Sequence, residues 1–164
     1  MSNILSEINE LKQKLILLLD EKNIKISTAE SCTGGMIGAC LTSIPGISRY
    51  YGYGFVTYSN EAKQKLLGVL PDTLNKFGAV SAETALQMAQ GALRVSGSDI
   101  AVSVTGIAGP GGGTALKPVG LVYVGFASED KRLFKKLNLS GNRDTVRLAT
   151  VKNVLELIIN QIDK

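Results

Sequence analysis

The chain of 164 residues contains no histidine and only two cysteines. Without an imidazole, catalytic triads built on histidine are excluded, so a serine nucleophile would need a carboxylate or a lysine as its base. Cys32 and Cys40 are eight positions apart on what we expect to be one helical segment, about 12 Å along its axis. That separation is too long for a disulfide, and a zinc site without histidine is not expected. We therefore expect no metal and no cofactor.

Long apolar runs and aromatic residues are also scarce. No run of eighteen or more apolar residues occurs, so we expect no membrane-spanning helix and no membrane partner. The N-terminus is rich in acidic residues and lacks the pattern of a signal peptide, which favours a cytoplasmic location. The net charge is +4, but the basic residues are scattered and only 5% of residues are aromatic. We expect no nucleic-acid partner; a small anionic ligand fits this charge equally well.

Helix-like and strand-like segments alternate along the chain, and 45% of its residues are hydrophobic. We expect helices at 3–22, 35–43, 72–77 and 144–162, two more starting near residues 60 and 81, and strands at 25–29, 51–58, 100–105, 120–127 and 131–139. This order predicts an α/β fold: a single three-layer α/β/α domain over residues 1–164 with a mixed, mostly parallel sheet. The last two strands are expected to form a hairpin. The apolar N-terminal helix also favours a homodimer.

The most informative stretch is TAESCTGG at 28–35, which joins a strand to a helix. Ser31 is expected beside the N-terminus of that helix, where unpaired N–H groups favour negative charge. It is then either a helix cap or a nucleophile with the N–H groups around Thr33 and Gly34 as oxyanion donors. Neighbouring residues of an extended chain face opposite sides, so Glu30 is expected to be structural.

A second corner follows the strand that ends near Tyr58. Lys63 is expected one turn into the next helix, either as a solvated surface lysine or as a base. Burial near a helix N-terminus lowers the pKa of a lysine, which would let Lys63 accept the proton of Ser31. Tyr58 is expected to bridge that pair, to hold the substrate, or to lie on the rim with its hydroxyl in water.

Two further segments complete the candidate site. The glycine-rich loop at 105–113 follows a buried strand and is either a flexible connection or a backbone contact for phosphate or sugar. Arg143 and Arg147 share a helical face and suit a phosphate group, unless Asp144 pairs with one of them. In open α/β sheets, ligands bind at the carboxyl ends of strands, so the three corners are expected to share one pocket.

These motifs resemble those of the CinA C-terminal domain family, the nicotinamide-nucleotide amidohydrolases. The resemblance covers TAESCTGG at 28–35, GFVTYSNEAK at 54–63, GAVS at 78–81, TGIAGPGGG at 105–113, KPVG at 117–120 and GNRDTVR at 141–147. It implies a mixed α/β/α domain that deamidates nicotinamide mononucleotide to nicotinic acid mononucleotide and ammonia. It further implies Ser31 as nucleophile, Lys63 as base, and Tyr58, Thr105 and Arg143 in assisting or substrate-binding positions. The family is often fused to a nucleotide-pyrophosphatase-type domain, and this chain looks like the stand-alone form.

The sequence therefore predicts a metal-free amidohydrolase whose partner is a small pyridine nucleotide. Its expected catalytic residues are Ser31, Lys63 and Tyr58. The expected substrate-binding residues are Thr33, Gly34, Gly35, Asn60, Thr105, Gly106, Arg143 and Arg147. The alternative is a non-catalytic, nucleotide-binding or competence- and damage-related regulatory protein.

Overall fold

A five-stranded sheet with helices on both faces forms the fold in this computed structural model, which describes residues 2–164. The elements in chain order are α1 (Ser2–Lys22), β1 (Ile26–Glu30), α2 (Met36–Thr42), a 3-10 turn (Ile47–Arg49), β2 (Tyr51–Val56), α3 (Asn60–Leu67), α4 (Pro71–Phe77), α5 (Ala82–Ser96), β3 (Ile100–Gly106), β4 (Leu121–Ser128), β5 (Arg132–Asn138) and α6 (Arg143–Ile162).

The strand order is β2-β1-β3-β4-β5. β1 lies between β2 and β3 and runs parallel to both, whereas β4 is antiparallel to its neighbours β3 and β5. Four strands therefore point the same way and β4 alone runs against them, which confirms the mixed, mostly parallel sheet. The predicted hairpin is β4–β5, and β5 forms one edge of the sheet. The carboxyl ends of β1, β2 and β3 consequently meet at one edge of the fold.

Two apolar clusters cover the two faces of the sheet. Helices α1, α2 and α6 pack over the first face, where Val102 and Val104 of β3 are buried. Helices α3, α4 and α5 pack over the other face, where Ala101, the residue before Val102, is buried in one cluster with Met88. Because side chains alternate along a strand, β3 contributes to both clusters, as its nearly continuous apolar sequence predicts.

Side-chain caps fix the starts of the helices that flank the carboxyl edge. Ser59 accepts a hydrogen bond from the Ala62 N–H at the start of α3, and Asn142 accepts one from the Thr145 N–H at the start of α6. Both caps satisfy an N–H that has no partner within the helix. Helix α3 ends at Gly68, whose φ of 69° lies in the left-handed region. The segment that carries Lys63 is therefore fixed at both ends.

Helix α1 packs against α6 of the same chain, and Leu17 on α1 remains 70% exposed. The homodimer stays a prediction. Across residues 2–164, no helix is both long enough and apolar enough to cross a membrane. Over the same residues, no group of three or more histidine, cysteine, aspartate or glutamate side chains is placed to hold a metal ion.

Candidate active site

A cavity of about 290 Å³ opens where β1, β2 and β3 end. This volume is close to the lower end of the range for small-molecule sites, about 300–1,000 Å³. Each of the three corners predicted from the sequence contributes to its wall, and so does the start of α6. The lining residues are Ser31, Cys32, Tyr58, Asn60, Lys63, Ala79, Val80, Thr105, Gly106, Ile107, Ala108, Gly109, Gly111, Gly112 and Arg143.

Backbone pairing continues just beyond the strands and fixes the corners relative to one another. The Ser31 N–H donates to the Val104 carbonyl at 3.0 Å, and the Thr57 N–H donates to the Glu30 carbonyl at 2.8 Å. These bonds extend the parallel ladders of β1 with β3 and of β2 with β1. Backbone hydrogen bonds to the two neighbouring strands therefore fix the chain at Ser31, without a contribution from the side chains of the cavity.

Ser31 and Lys63 lie together on the wall of this cavity. The Lys63 Nζ is 3.1 Å from the Ser31 Oγ, and it donates to the Thr57 carbonyl at 2.8 Å. Helical side chains lean toward the N-terminus of their helix, so the Lys63 side chain returns from α3 toward the end of β2. The separation of Nζ and Oγ is within the range needed for proton transfer from a nucleophile to its base.

Lys63 is buried, with only 1% of its surface exposed. Burial lowers the pKa of its amine from the ordinary value of 10.5, because an ammonium loses its hydration there. Its two hydrogen-bond partners are both uncharged, since one is a carbonyl and the other a hydroxyl. A neutral amine can donate one N–H to Thr57 and still offer its lone pair to the Ser31 hydroxyl.

Glu30 is also buried, but its carboxylate holds the turn at 31–35 and the start of α2. It accepts hydrogen bonds from the Thr33 hydroxyl at 2.6 Å and from the N–H groups of Gly35, Ile37 and Gly38 at 3.0, 3.0 and 2.8 Å. The N-cap position, Gly35, has no side chain to fill this role. Glu30 thus neutralises the positive end of α2 from the preceding strand.

Tyr58 and Arg143 form a hydrogen-bonded pair at the cavity mouth. Arg143 donates from Nη2 to the Tyr58 hydroxyl at 3.0 Å and from Nη1 to the Gly109 carbonyl at 2.7 Å. Tyr58 is 61% exposed, and within the described chain its hydroxyl bonds neither Ser31 nor Lys63. The bridging role considered for Tyr58 is therefore absent from this geometry, which places the ring on the rim with its hydroxyl held by Arg143.

The other side of the cavity combines polar and apolar groups. Thr105 is buried, and its hydroxyl donates to the Ala79 carbonyl at 2.7 Å, which ties the end of β3 to the segment before α5. Asn60 is exposed at the start of α3, and Gly106 follows Thr105 in the wall. The cavity therefore brings together Asn60, Thr105, Gly106 and Arg143 from the predicted substrate-binding set.

Four predicted substrate-binding residues lie outside the lining: Thr33, Gly34, Gly35 and Arg147. Of the N–H groups expected around Thr33 and Gly34 as oxyanion donors, that of Gly34 is already engaged by the Ser31 carbonyl, and the next one, of Gly35, by Glu30. Arg147 donates from Nη2 to the Thr33 carbonyl at 2.8 Å and lies 3.7 Å from Asp144. Glu30 and Arg147 thus occupy polar groups at the start of α2 that would otherwise be available to a substrate.

Sequence reasoning missed several wall residues, notably Cys32, Ala79 and Val80. Ala79 and Val80 carry no reactive group, so their only sequence signal is their place in the GAVS motif. Burial raises the pKa of Cys32 to about 11, so its thiol stays protonated near neutral pH and is a poor nucleophile. Of the two adjacent candidates on this wall, Ser31 is the one with a base within reach.

Comparison with known proteins places these features in one family. Residues 8–162 match the CinA C-terminal domain. A relative from Acetivibrio thermocellus, named for competence-damage induction, is 49% identical over 159 residues, which cover 97% of this chain and 38% of the relative. A CinA-like protein of Endomicrobium trichonymphae is 56% identical over 142 residues, which cover 87% of this chain and 33% of that protein. The chain thus spans little more than a third of the length of such relatives.

Solved structures agree in fold over nearly the whole chain. The competence/damage inducible protein CihA of Agrobacterium tumefaciens is similar with a TM-score of 0.93 and 48% identity, covering 96% of both chains. The competence damage-inducible protein A of Klebsiella pneumoniae has a TM-score of 0.92 and 33% identity, covering 95% of this chain and 97% of its own. Sequence, fold and family match together show that this chain belongs to the CinA C-terminal domain family.

Proposed function

We propose that this protein is an amidohydrolase that converts nicotinamide mononucleotide to nicotinic acid mononucleotide and ammonia through a Ser31–Lys63 pair. The observation that carries the proposal is the buried amine of Lys63, 3.1 Å from the Ser31 hydroxyl on the wall of a small-molecule cavity. Burial of that amine favours its neutral form, which is the form that can act as a base.

The reaction would proceed in two steps. Neutral Lys63 accepts the Ser31 proton as Oγ bonds to the carboxamide carbon, and the protonated amine then gives that proton to the departing ammonia as the C–N bond breaks. In the second step, Lys63 takes a proton from water as the water oxygen bonds to the acyl carbon, and it gives that proton to Oγ as the bond between Oγ and the acyl carbon breaks. This step restores the Ser31 hydroxyl and the neutral amine. Nucleophile and base both belong to the chain, and the scheme needs no metal ion.

The oxyanion donors in this scheme lie close to Ser31. Because the N–H groups of Gly34 and Gly35 are engaged within the turn, we assign this role to the Cys32 N–H, which immediately follows the nucleophile and whose residue lines the cavity. The mouth of the cavity offers the Arg143 guanidinium to the phosphate, beside Tyr58 and the glycine loop. The apolar part of the cavity wall, formed by Ala79, Val80 and Ile107, suits the planar nicotinamide ring of this substrate.

Substitution of the pair tests the proposal. Ser31→Ala and Lys63→Ala should each lower ammonia release from nicotinamide mononucleotide by several orders of magnitude, since neither group works without the other. The matched controls are Ser48→Ala and Lys65→Ala, which remove an exposed serine and an exposed lysine and should leave turnover unchanged. Near-normal turnover in Lys63→Ala would show that this amine is not the base.

A second candidate is a regulatory protein that binds a nucleotide without catalysis, and the competence- and damage-related names of the relatives favour it. It predicts that nicotinamide mononucleotide raises the thermal unfolding temperature while no ammonia is released. The amidase proposal predicts ammonia release that Ser31→Ala abolishes. A coupled ammonia assay with a parallel unfolding scan therefore separates the two functions.

A further inference from the structure

Two arginines stand one turn apart at the start of α6, yet they contact different parts of the site. Arg143 reaches the cavity mouth and lines it. Arg147 instead reaches the turn that carries the nucleophile, where its Nη2 donates to the Thr33 carbonyl at 2.8 Å, and it is not among the lining residues. The shared helical face predicted for the pair therefore does not give the two arginines a shared role.

The turn at 31–35 depends on support from outside itself. Gly34 and Gly35 have φ values of 58° and 94°, so this part of the turn has little conformational preference of its own. The Glu30 carboxylate, at the end of β1, accepts hydrogen bonds from the Thr33 hydroxyl and the Gly35 N–H of the turn. The carbonyl of Thr33 accepts from the Met36 N–H at 3.2 Å and, from outside the turn, from Arg147.

The hydrogen bond from Arg147 to the Thr33 carbonyl is made by a largely buried side chain. The side chain is only 24% exposed, and its Nε is buried without a hydrogen-bond partner among residues 2–164. Leaving a buried N–H unpaired costs free energy, so the guanidinium is held in this place against that cost. A methyl group on Gly34 would lie 3.7 Å from Nη2, which means that the guanidinium also packs against the backbone of the turn.

We propose that Arg147 is a positioning residue, which fixes the Thr33 carbonyl and thereby sets the Ser31 hydroxyl within reach of Lys63. Its catalytic consequence rests on the function proposed above. A misplacement of about 1 Å at a reacting group lowers rates by up to about a hundredfold. Loss of Arg147 should therefore lower kcat while the KM for substrate stays unchanged.

Steady-state kinetics on two substrates test this role against phosphate binding. Arg147→Met should lower kcat about ten- to a hundredfold with both nicotinamide mononucleotide and nicotinamide riboside, which lacks the phosphate. The matched control is Arg94→Met, since Arg94 donates from Nη2 to the Leu67 carbonyl at 2.9 Å away from the cavity, and it should leave kcat unchanged. A raised KM for the mononucleotide alone would overturn the proposal and make Arg147 a phosphate ligand.

A second measurement does not depend on the substrate. The rate at which a small fluorophosphonate labels Ser31, read by mass spectrometry, should fall in Arg147→Met by the same factor as kcat. Labelling without ammonia release in the unsubstituted protein would refute the amidase function while leaving this proposal open to the same comparison. Equal labelling in both proteins would overturn the positioning role alone, and no labelling together with no ammonia release would overturn both.

Folding is checked by thermal unfolding of each variant. If Arg147→Met does not fold, Arg147→Lys replaces it, because lysine keeps the charge but loses the planar fork of the guanidinium. That variant should show the same fall in kcat and in labelling rate at unchanged KM, and normal values of both would overturn the proposal.

Discussion

The titration of Lys63 gives a quantitative prediction for the pH dependence of catalysis. At the ordinary pKa of 10.5, about one amine in 3,000 would be neutral at pH 7, and each unit by which burial lowers the pKa raises that fraction tenfold. Below the pKa of Lys63, kcat/KM should therefore rise tenfold per pH unit, and it should level off above that pKa. The plateau should begin below pH 10.5, because desolvation of the amine lowers its pKa.

Ammonia release from nicotinamide mononucleotide, followed from pH 6 upward at subsaturating substrate, measures this profile. Lys63→Arg keeps a positive charge but never supplies a neutral base, so its activity should stay negligible throughout. Cys32→Ala should leave the inflection in place, since the Cys32 thiol has a pKa of about 11 and is uncharged across this range. A rate that falls between pH 6 and pH 8, or that levels off only at or above pH 10.5, would refute the assignment of Lys63 as a buried base.

The same titration should appear in the free energy of unfolding. Because the folded-state pKa of Lys63 is lowered, the unfolded chain binds more protons between that pKa and 10.5, so stability rises with pH across this window. Below the window, burial of the ammonium costs about 1.4 kcal/mol for each unit of lowering. Urea unfolding of the unsubstituted protein and of Lys63→Met should therefore show their difference shifting in favour of the unsubstituted protein as pH rises through the window. A difference independent of pH would contradict a buried, titrating lysine.

Three further predictions concern the support of the site and its independence from metal. Glu30→Gln should lower the free energy of unfolding by about 1–3 kcal/mol in urea titrations, because an amide cannot accept from the Gly38 N–H while its oxygen serves the other three donors; an unchanged midpoint would refute this. Gly125→Ala should cost about 1–3 kcal/mol, since its Cβ would lie 2.4 Å from the Ala85 carbonyl oxygen and push α5 off the sheet. Gly52→Ala, whose Cβ meets nothing within 4 Å, is its control and should change stability by less than about 0.5 kcal/mol. Dialysis against EDTA should leave ammonia release unchanged, and activity lost there and restored by a divalent cation would contradict the metal-free mechanism.

Much of the fold follows from the sequence because local patterns and topology agree. The periodicity of α1 and α6, the helix starts expected near residues 60 and 81, and the apolar run of β3 each predict the element that forms. Strand ends are less certain because they depend on pairing. The strand predicted to reach Tyr58 ends at Val56, and β1 extends to Glu30 because Glu30 still pairs with strands on both sides.

The convergence of the site is also predictable, whereas the partners of individual side chains are not. Parallel neighbours bring their carboxyl ends to one edge, so the corners carrying Ser31, Lys63 and Thr105 had to meet. Arg143 and Arg147 share a helical face, but they are separated by about 6 Å along the axis. Arg143 therefore reaches the cavity mouth, whereas Arg147 reaches the turn at 31–35. Likewise, the four donors collected by Glu30 come together only when the turn has folded, and no sequence spacing specifies them.

Glu30 also bears on the choice between the two candidate functions. A lysine beside a free carboxylate is held as an ammonium, which cannot act as a base. Here the buried Glu30 carboxylate is bound by four donors of the turn and of α2, and no ion pair in the described part of the chain involves Lys63. A protein that only bound an anionic nucleotide would use an exposed, charged lysine at lower cost. Burial of the Lys63 amine against a hydroxyl, with no ion-pair partner, weakens its use in binding an anion and favours the neutral form that can act as a base. The arrangement therefore favours catalysis over binding alone.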